Sequence, residues 1–259
     1  MKQRLVAIAR AARLLPALDA VRFLLAKRES AKNNREFLDA NPGFSPPPLW
    51  WMHDMYRHTC YALYWRTGRE TAAALTSKID KYLEGSAPKV ADWGCGLARV
   101  IRHLPERYER FGFDYNADAI EWDAQHIDGV RFARNNLSPP LPAEDVSFDA
   151  LYALSVFTHL SAQAHQDWVK EIYRVLAPGG VFLGAFHMAL NPDQLLPEEQ
   201  AQFDAGELVV RGGVREGSRI FVAYHPEAYI RALLSAGFEI LEGPTQFFGQ
   251  SLCVARKKP

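Results

Sequence analysis

Hydrophobic and polar positions change their rhythm along this chain. From residue 89, short runs rich in branched and aromatic side chains alternate with amphipathic stretches. "KVADW" (89–93), "ERFGFD" (109–114), "VRFAR" (130–134), "FDALYAL" (148–154) and "GVFLGAF" (180–186) read as strands. Helices are expected over 97–104 and 117–126. A third is expected after the fourth strand, where Val169, Ile172, Tyr173 and Leu176 recur at helical spacing before "PGG". Such alternation predicts an α/β fold, a parallel sheet with helices on both faces. After residue 187 the rhythm departs from it. "ELVVRGGVREGSRIFVAYH" reads as a hairpin and "PEAYIRALLSAG" as a helix. "FEILEG" and "SLCVARK" then follow as two strands with no helix between them, an antiparallel finish. Upstream, "NPGFSPPPLWW" (41–51) is an extended connector, and residues 53–84 read as one helix ending near Gly85 and Pro88.

Composition adds little until it is divided. The 259 residues carry no formal net charge and 48% hydrophobic side chains, ordinary for a globular chain and giving no phosphate-binding track for nucleic acid. Residues 1–36, however, hold nine Lys/Arg against three acids, a local +6 balanced by −6 in the remainder. Arg10 and Arg13 interrupt this segment's apolar run, which argues against a signal peptide or a membrane span. Two short helices around Pro16 are expected, packed on the domain, against a protein partner, or on an anionic membrane face. Cys60, Cys95 and Cys253 are odd in number and widely spaced, which fits a reducing, cytoplasmic setting.

The chemistry concentrates at strand ends. In "VADWGCGLARV", Asp92, Gly94 and Gly96 stand at D-x-G-x-G spacing between a strand and the next element, where a turn without Cβ atoms lets backbone approach a ligand. Arg99 occupies the further glycine position of a dinucleotide fingerprint, which disfavours a nicotinamide dehydrogenase. Asp114 ends the second strand 18 residues past Gly96, where an acid can accept both hydroxyls of a ribose. After the third strand, the Asn136 amide and the Leu137 backbone N–H are candidates for an adenine edge. Each also has an ordinary reading, as a turn glycine, a solvated acid or a turn-forming Asn-Asn pair.

In this order, the pieces resemble the class I S-adenosylmethionine-dependent methyltransferases over about residues 85–256. "VADWGCG" is similar to their first motif, "FGFDYN" to the ribose-binding acid, "FDALYALSVFTHL" to the fourth-strand motif, and "WVKEIYRVLAPGGVFLGAF" to the segment before strand five. Ala98 stands at the third glycine position and Asn136 replaces the usual acid after strand three. The resemblance implies a Rossmann-like, seven-stranded, mostly parallel sheet with an antiparallel C-terminal strand. A helical extension would occupy residues 1–84, with a methyltransferase domain over 85–259 whose insertion at 188–224 serves as a substrate lid. It also implies S-adenosylmethionine as cofactor, held by Asp92, Gly94, Cys95, Gly96, Asp114, Tyr115, Asn136, Leu137 and Ser155. Wording such as "PPLPAEDVSFD" further resembles a subgroup associated with cell-surface polysaccharide assembly, which implies a sugar, glycolipid or other small-molecule acceptor.

Methyl transfer is chiefly positioning, and a hydroxyl acceptor adds the need for a base. His159 follows strand four and His187 follows strand five, at the expected rim; His159 is the first candidate for catalysis and His187 the second. Ser161 reads as the N-cap of the next helix, and His165, beside Trp168, as structural. His53 and His58 lie five apart, a poor match to one helix face, and His159 with His165 lacks clustered carboxylate partners, so no metal is expected. Trp51, Tyr56, Tyr61, Tyr64 and Trp65 cover the donor, wall the acceptor pocket or pack as core against the sheet. A nucleic-acid amino-methyltransferase would carry an Asn/Asp-Pro-Pro-aromatic motif where "LSVFTH" stands. The other alternative is a non-catalytic binding or scaffold protein of the same fold.

Overall fold

The computed structural model describes residues 15–189 and 194–259. By its internal contacts the chain divides into two compact units, residues 1–67 and 68–259, with the division inside the third described helix.

In the first unit, α1 (Leu15–Ala40) and α2 (Leu49–Tyr56) precede the opening turns of α3 (Tyr61–Tyr82). The single helix expected over 53–84 is therefore two. Arg57 takes a left-handed φ of 63° that ends α2. The break is held from α1: Asn34 Nδ2 donates to Thr59 O at 2.7 Å and Asn34 Oδ1 accepts from Tyr61 N at 2.9 Å. Ser30 Oγ lies 2.7 Å from Thr59 Oγ1. An amide from a distant helix thus satisfies the first free N–H of α3, a tertiary cap with no local signature. Of the expected helices around Pro16, residues 1–14 lie outside the described residues, and from Leu15 onward one helix of 26 residues runs unbroken.

The second unit holds β1 (Lys89–Trp93), β2 (Glu109–Asp114), α4 (Ala117–His126), β3 (Val130–Arg134), β4 (Phe148–Ala153), α5 (Ala162–Val175) and β5 (Leu176–Phe186). After these come α6 (Pro197–Asp204), β6 (Val209–Arg211), β7 (Val222–Tyr224), α7 (Glu227–Ser235), β8 (Phe238–Phe247) and β9 (Gln250–Lys257). Seven strands form one sheet in the order β3-β2-β1-β4-β5-β9-β8, parallel except for β9, which runs antiparallel to both β5 and β8. β6 and β7 form a separate antiparallel ribbon. The architecture is the expected Rossmann-like one.

Two expectations need correction. The helix expected over 97–104 is a turn followed by a single 3₁₀ turn at Ile101–His103, because Ala98 adopts φ 52° and interrupts helical geometry. The fifth strand begins at Leu176 rather than 180: Leu176 pairs with Phe148, and the register shifts across "PGG" before Val181 pairs with Ala150.

Both sheet faces are covered. On one, α5 and α7 bury Trp168, Ile172, Ile230 and Leu234 against Trp93, Leu151, Phe182 and Phe238. On the other, Leu75 and Ile79 of α3 pack with Ile101, Val90, Tyr152 and Leu183. Strand order reverses between β1 and β4, so their carboxyl ends flank the crevice where ligands bind in open α/β sheets.

At that crevice the two chain exits touch. Gly94 takes φ 83°, and a Cβ built there would lie 2.3 Å from Val156 Cγ2. Gly94→Ala combines left-handed strain with a steric overlap and is expected to destabilise the fold by about 1–3 kcal/mol. Val156→Ala in the same chain should recover part of that loss by removing the overlap. Urea unfolding of the single and double variants measures both, and an unchanged midpoint for Gly94→Ala would refute the account.

Candidate functional site

The crevice is built first from the β1–β2 side. Gly94 N and Cys95 N both donate to Phe113 O, at 2.7 and 3.0 Å, which pins the turn to the end of β2. Gly94, Gly96 and Ala98 all have positive φ, of 83°, 59° and 52°, so the chain winds tightly here. Ala98 therefore does conformationally what a third glycine would do. Asp114 closes the arrangement, its Oδ2 accepting from Gly96 N at 2.9 Å and its Oδ1 from Asn116 N at 2.8 Å.

Three buried acids meet behind this turn. Asp92 accepts from Tyr152 Oη at 2.8 Å, and burial raises its pKa to about 7, with the neighbouring Asp114 adding to the rise. Burial also raises Asp114, against three backbone N–H bonds that lower it. Asp123, on α4, is fully buried with no hydrogen-bond partner on either oxygen among the described residues, and desolvation lifts its pKa to about 9. The Cys95 thiol is buried among these acids and held well above its ordinary pKa, first by burial and then by their charge. It is a neutral packing group, not a nucleophile.

The β4 side supplies the second wall. Ser155 leaves the strand with φ 62°, a left-handed turn that a non-glycine residue adopts under constraint. Its Oγ donates to Gln250 Oε1 at 3.1 Å, while Gln250 Nε2 reaches Thr158 Oγ1 at 3.4 Å. A 3₁₀ turn, Phe157–His159, then presents His159. His159 Nδ1 lies 2.7 Å from Phe221 O. A carbonyl only accepts, so Nδ1 carries the proton and Nε2 keeps its lone pair. Burial lowers the His159 pKa below 6.5, which keeps the ring neutral at pH 7.

The neighbouring histidines divide by their bonding. His165 is buried with both nitrogens engaged, Nε2 with Phe157 O at 2.8 Å and Nδ1 with Tyr229 Oη at 3.0 Å. Burial takes its pKa down to about 4, which makes it a neutral support under the Phe157–His159 turn. His187 is the other imidazole at the rim. Its ring lies 4.6 Å from that of Tyr224, and its Nδ1 is buried without a hydrogen-bond partner among the described residues. Its pKa is lowered first by burial and then by electrostatic coupling to His159 and Arg211. Ser161 caps α5 through Ala164 N at 3.3 Å.

The loop between β6 and β7 ties these pieces together. Gly217 N donates to His159 O at 2.9 Å, and Tyr115 Oη donates to Gly217 O at 3.0 Å. A Cβ at Gly217 would lie 2.5 Å from Leu137 Cδ1, so Leu137 packs directly on this residue. Glu216 accepts the backbone N–H of Ser161. Tyr115, Leu137 and His159, far apart in sequence, thus converge on one dipeptide of the insertion. Leu137 O is itself held by Trp168 Nε1 at 3.0 Å.

Not every residue read from the sequence enters the cluster in the same way. Asn136 is exposed, and its backbone O accepts from Asn135 Nδ2 at 2.6 Å. Asn135 is the buried member of the pair, and its Oδ1 has no partner among the described residues. The aromatic N-terminal segment packs within the first unit, with Tyr61, Tyr64 and Trp65 around Phe44 and Tyr56 against Tyr64. Sequence reasoning missed Gln250, Glu216, Gly217 and Phe221. Phe221 acts through its carbonyl and Gly217 through its backbone, which no side-chain pattern records. Among the described residues, no group of three or more His, Cys, Asp or Glu side chains is placed to hold a metal ion.

Known proteins agree with this architecture. Residues 91–184 match a family described as a methyltransferase domain. A sterol 24-C-methyltransferase of Yarrowia lipolytica is 28% identical over 166 residues, covering 59% of this chain and 39% of that protein. A probable S-adenosylmethionine-dependent methyltransferase of Mycolicibacterium smegmatis is 35% identical over 97 residues, 36% of this chain and 36% of the relative. The chain thus spans less than half the length of these curated relatives. Among solved structures, SAM-bound CalS10, an amino pentose methyltransferase from Micromonospora echinaspora, aligns with a TM-score of 0.56 at 17% identity, over 74% of this chain and 92% of that one. The second unit therefore has the Rossmann-like methyltransferase fold, and residues 91–184 match the methyltransferase domain within it.

Proposed function

We propose that this chain binds S-adenosylmethionine at the carboxyl ends of β1, β2 and β4 and transfers its methyl group to a hydroxyl of a small-molecule, sugar or glycolipid acceptor. The observation that carries the reading is His159, an imidazole whose Nδ1 is committed to Phe221 O and whose Nε2 remains a base beside the ligand crevice. The residues present fit the donor. The winding at Gly94, Gly96 and Ala98 leaves two turn positions without a Cβ, and two backbone N–H groups orient the Asp114 carboxylate at the strand end. Asp114 would hold the ribose hydroxyls, Leu137 and Asn136 the adenine, and Asp92, Gly94, Cys95, Gly96, Tyr115 and Ser155 the remainder. The bound donor supplies an electrophilic methyl on a sulfonium.

The protein's part is then positional and protonic. His159 Nε2 accepts the acceptor's hydroxyl proton as the oxygen becomes nucleophilic, and it later releases that proton to water. Loop 212–218 acts as the lid, because Gly217 bridges Tyr115 on the donor side and His159 on the acceptor side. The sterol named for the Yarrowia relative and the amino pentose named for CalS10 support a lipid or sugar acceptor for this chain too. The resemblance to the cell-surface polysaccharide subgroup favours the sugar side. A non-catalytic binding or scaffold protein is the second reading, and turnover separates the two.

Two measurements test the proposal. By calorimetry, S-adenosylmethionine should bind the wild-type chain, and Asp114→Ala should weaken it about 100-fold, the loss of two bonds to a charged acceptor. Absence of binding at millimolar donor would end the cofactor reading. With glycan and glycolipid acceptors screened by product mass spectrometry, His159→Gln should lower kcat by about 10²- to 10⁴-fold and leave donor affinity unchanged. Because the His159 pKa lies below 6.5, wild-type kcat should be flat above pH 6.5 and fall as the ring protonates below it. Full turnover by His159→Gln would remove the base role.

A further inference from the structure

The first turns of helix α1 turn apolar side chains toward water. Its inner face buries Asp19, Ser30 and Asn34, which bond to Arg57, Thr59 and Tyr61 within the first unit. Its outer face exposes Leu18, Val21, Leu24 and Leu25, at 43%, 55%, 63% and 57%. Trp50, whose ring meets the edge of Phe23 on α1 at 5.0 Å, is 45% exposed as well. Five of the nine large exposed apolar side chains of the described residues therefore belong to this small unit. Such a concentration marks a surface meant to be covered.

The pattern along the outer face indicates by what. At steps of three and four residues, Leu18, Val21, Leu24 and Leu25 give way to Arg28, Lys32 and Arg35, all exposed. Acids are present: Glu29 and, at the stripe's far end, Asp39 are exposed, and Glu36 pairs with Lys32 at 3.7 Å. Across residues 1–36 the balance is still nine basic to three acidic side chains. Two copies packed through this face would bring together two segments of like charge. An anionic bilayer meets both halves of the stripe, the leucines entering the acyl boundary and the basic side chains reaching the headgroups. No described helix is long and apolar enough to cross a membrane, so the geometry required is that of a helix lying in the interface.

We infer that the outer face of α1, carried by Leu18, Val21, Leu24 and Leu25 and continued by Arg28, Lys32 and Arg35, docks the chain on an anionic lipid surface. The test uses the full chain without any methyl donor, so it is read independently of the methyltransferase proposal. Sedimentation should show binding to vesicles of equal parts phosphatidylglycerol and phosphatidylcholine, weaker binding to phosphatidylcholine alone, and release by added salt. The double variant Leu24→Asp/Leu25→Asp should bind at least about tenfold more weakly. The double variant Arg28→Glu/Lys32→Glu should lose the preference for the anionic vesicles. Both change exposed residues, and thermal unfolding verifies that they fold. Absence of wild-type binding, or unaltered binding by both variants, would overturn the inference. A concentration-dependent dimer dissolved by Leu24→Asp/Leu25→Asp would overturn it in favour of a second copy.

Discussion

Contact between the exits of β1 and β4 is the constraint on which the site depends. Val156 occupies the space a Cβ on Gly94 would need, so the glycine turn and the segment leading to His159 are packed as one piece. A side chain at Gly94 would overlap the Val156 side chain at the exit of β4. A crevice at a sheet's switch point is a topological given, and this close packing joins its two walls.

Electrostatics follow from the same compaction. Burial raises the pKa of Asp92, Asp114 and Asp123, and the charge of Asp114 raises Asp92 and Asp123 further. With its pKa raised to about 9, Asp123 keeps its proton at neutral pH, which relieves repulsion that three carboxylates would otherwise concentrate beneath the turn. Asp114 is the one supplied with three backbone N–H bonds, and it is the carboxylate best able to hold charge at the crevice. The histidines show the same logic on the β4 side. His165 spends both nitrogens on structure, and His159 spends only one.

Neither wall is complete without segments from late in the chain. Gln250 holds Ser155 and Thr158 from the start of β9, and Phe221 orients His159 from the loop before β7. Gly217 joins the two walls by bonding both Tyr115 and His159. A loop that fastens to both walls together can couple the ordering of one to the ordering of the other.

Local pattern was enough for the sheet. Strands such as Lys89–Trp93, Glu109–Asp114 and Val130–Arg134 announce themselves by β-branched and aromatic runs, and the late pair without an intervening helix announces its antiparallel turn. The D-x-G-x-G turn, Asp114 and His159 were legible because each sits at a strand end, a position that periodicity locates. Local pattern failed where partners are distant. Nothing near residue 58 foretells that Asn34 will cap α3, and nothing near residue 98 shows that an alanine will take φ 52° and end a helix before it starts. The tautomer of His159 was likewise invisible, because a backbone carbonyl 62 residues away decides it. Sequence determined which residues could do chemistry, through spacing and side-chain type. Tertiary structure decided which nitrogen, which face of α1 and which acids are available, because hydrogen-bond pairing and burial are settled only when remote segments meet.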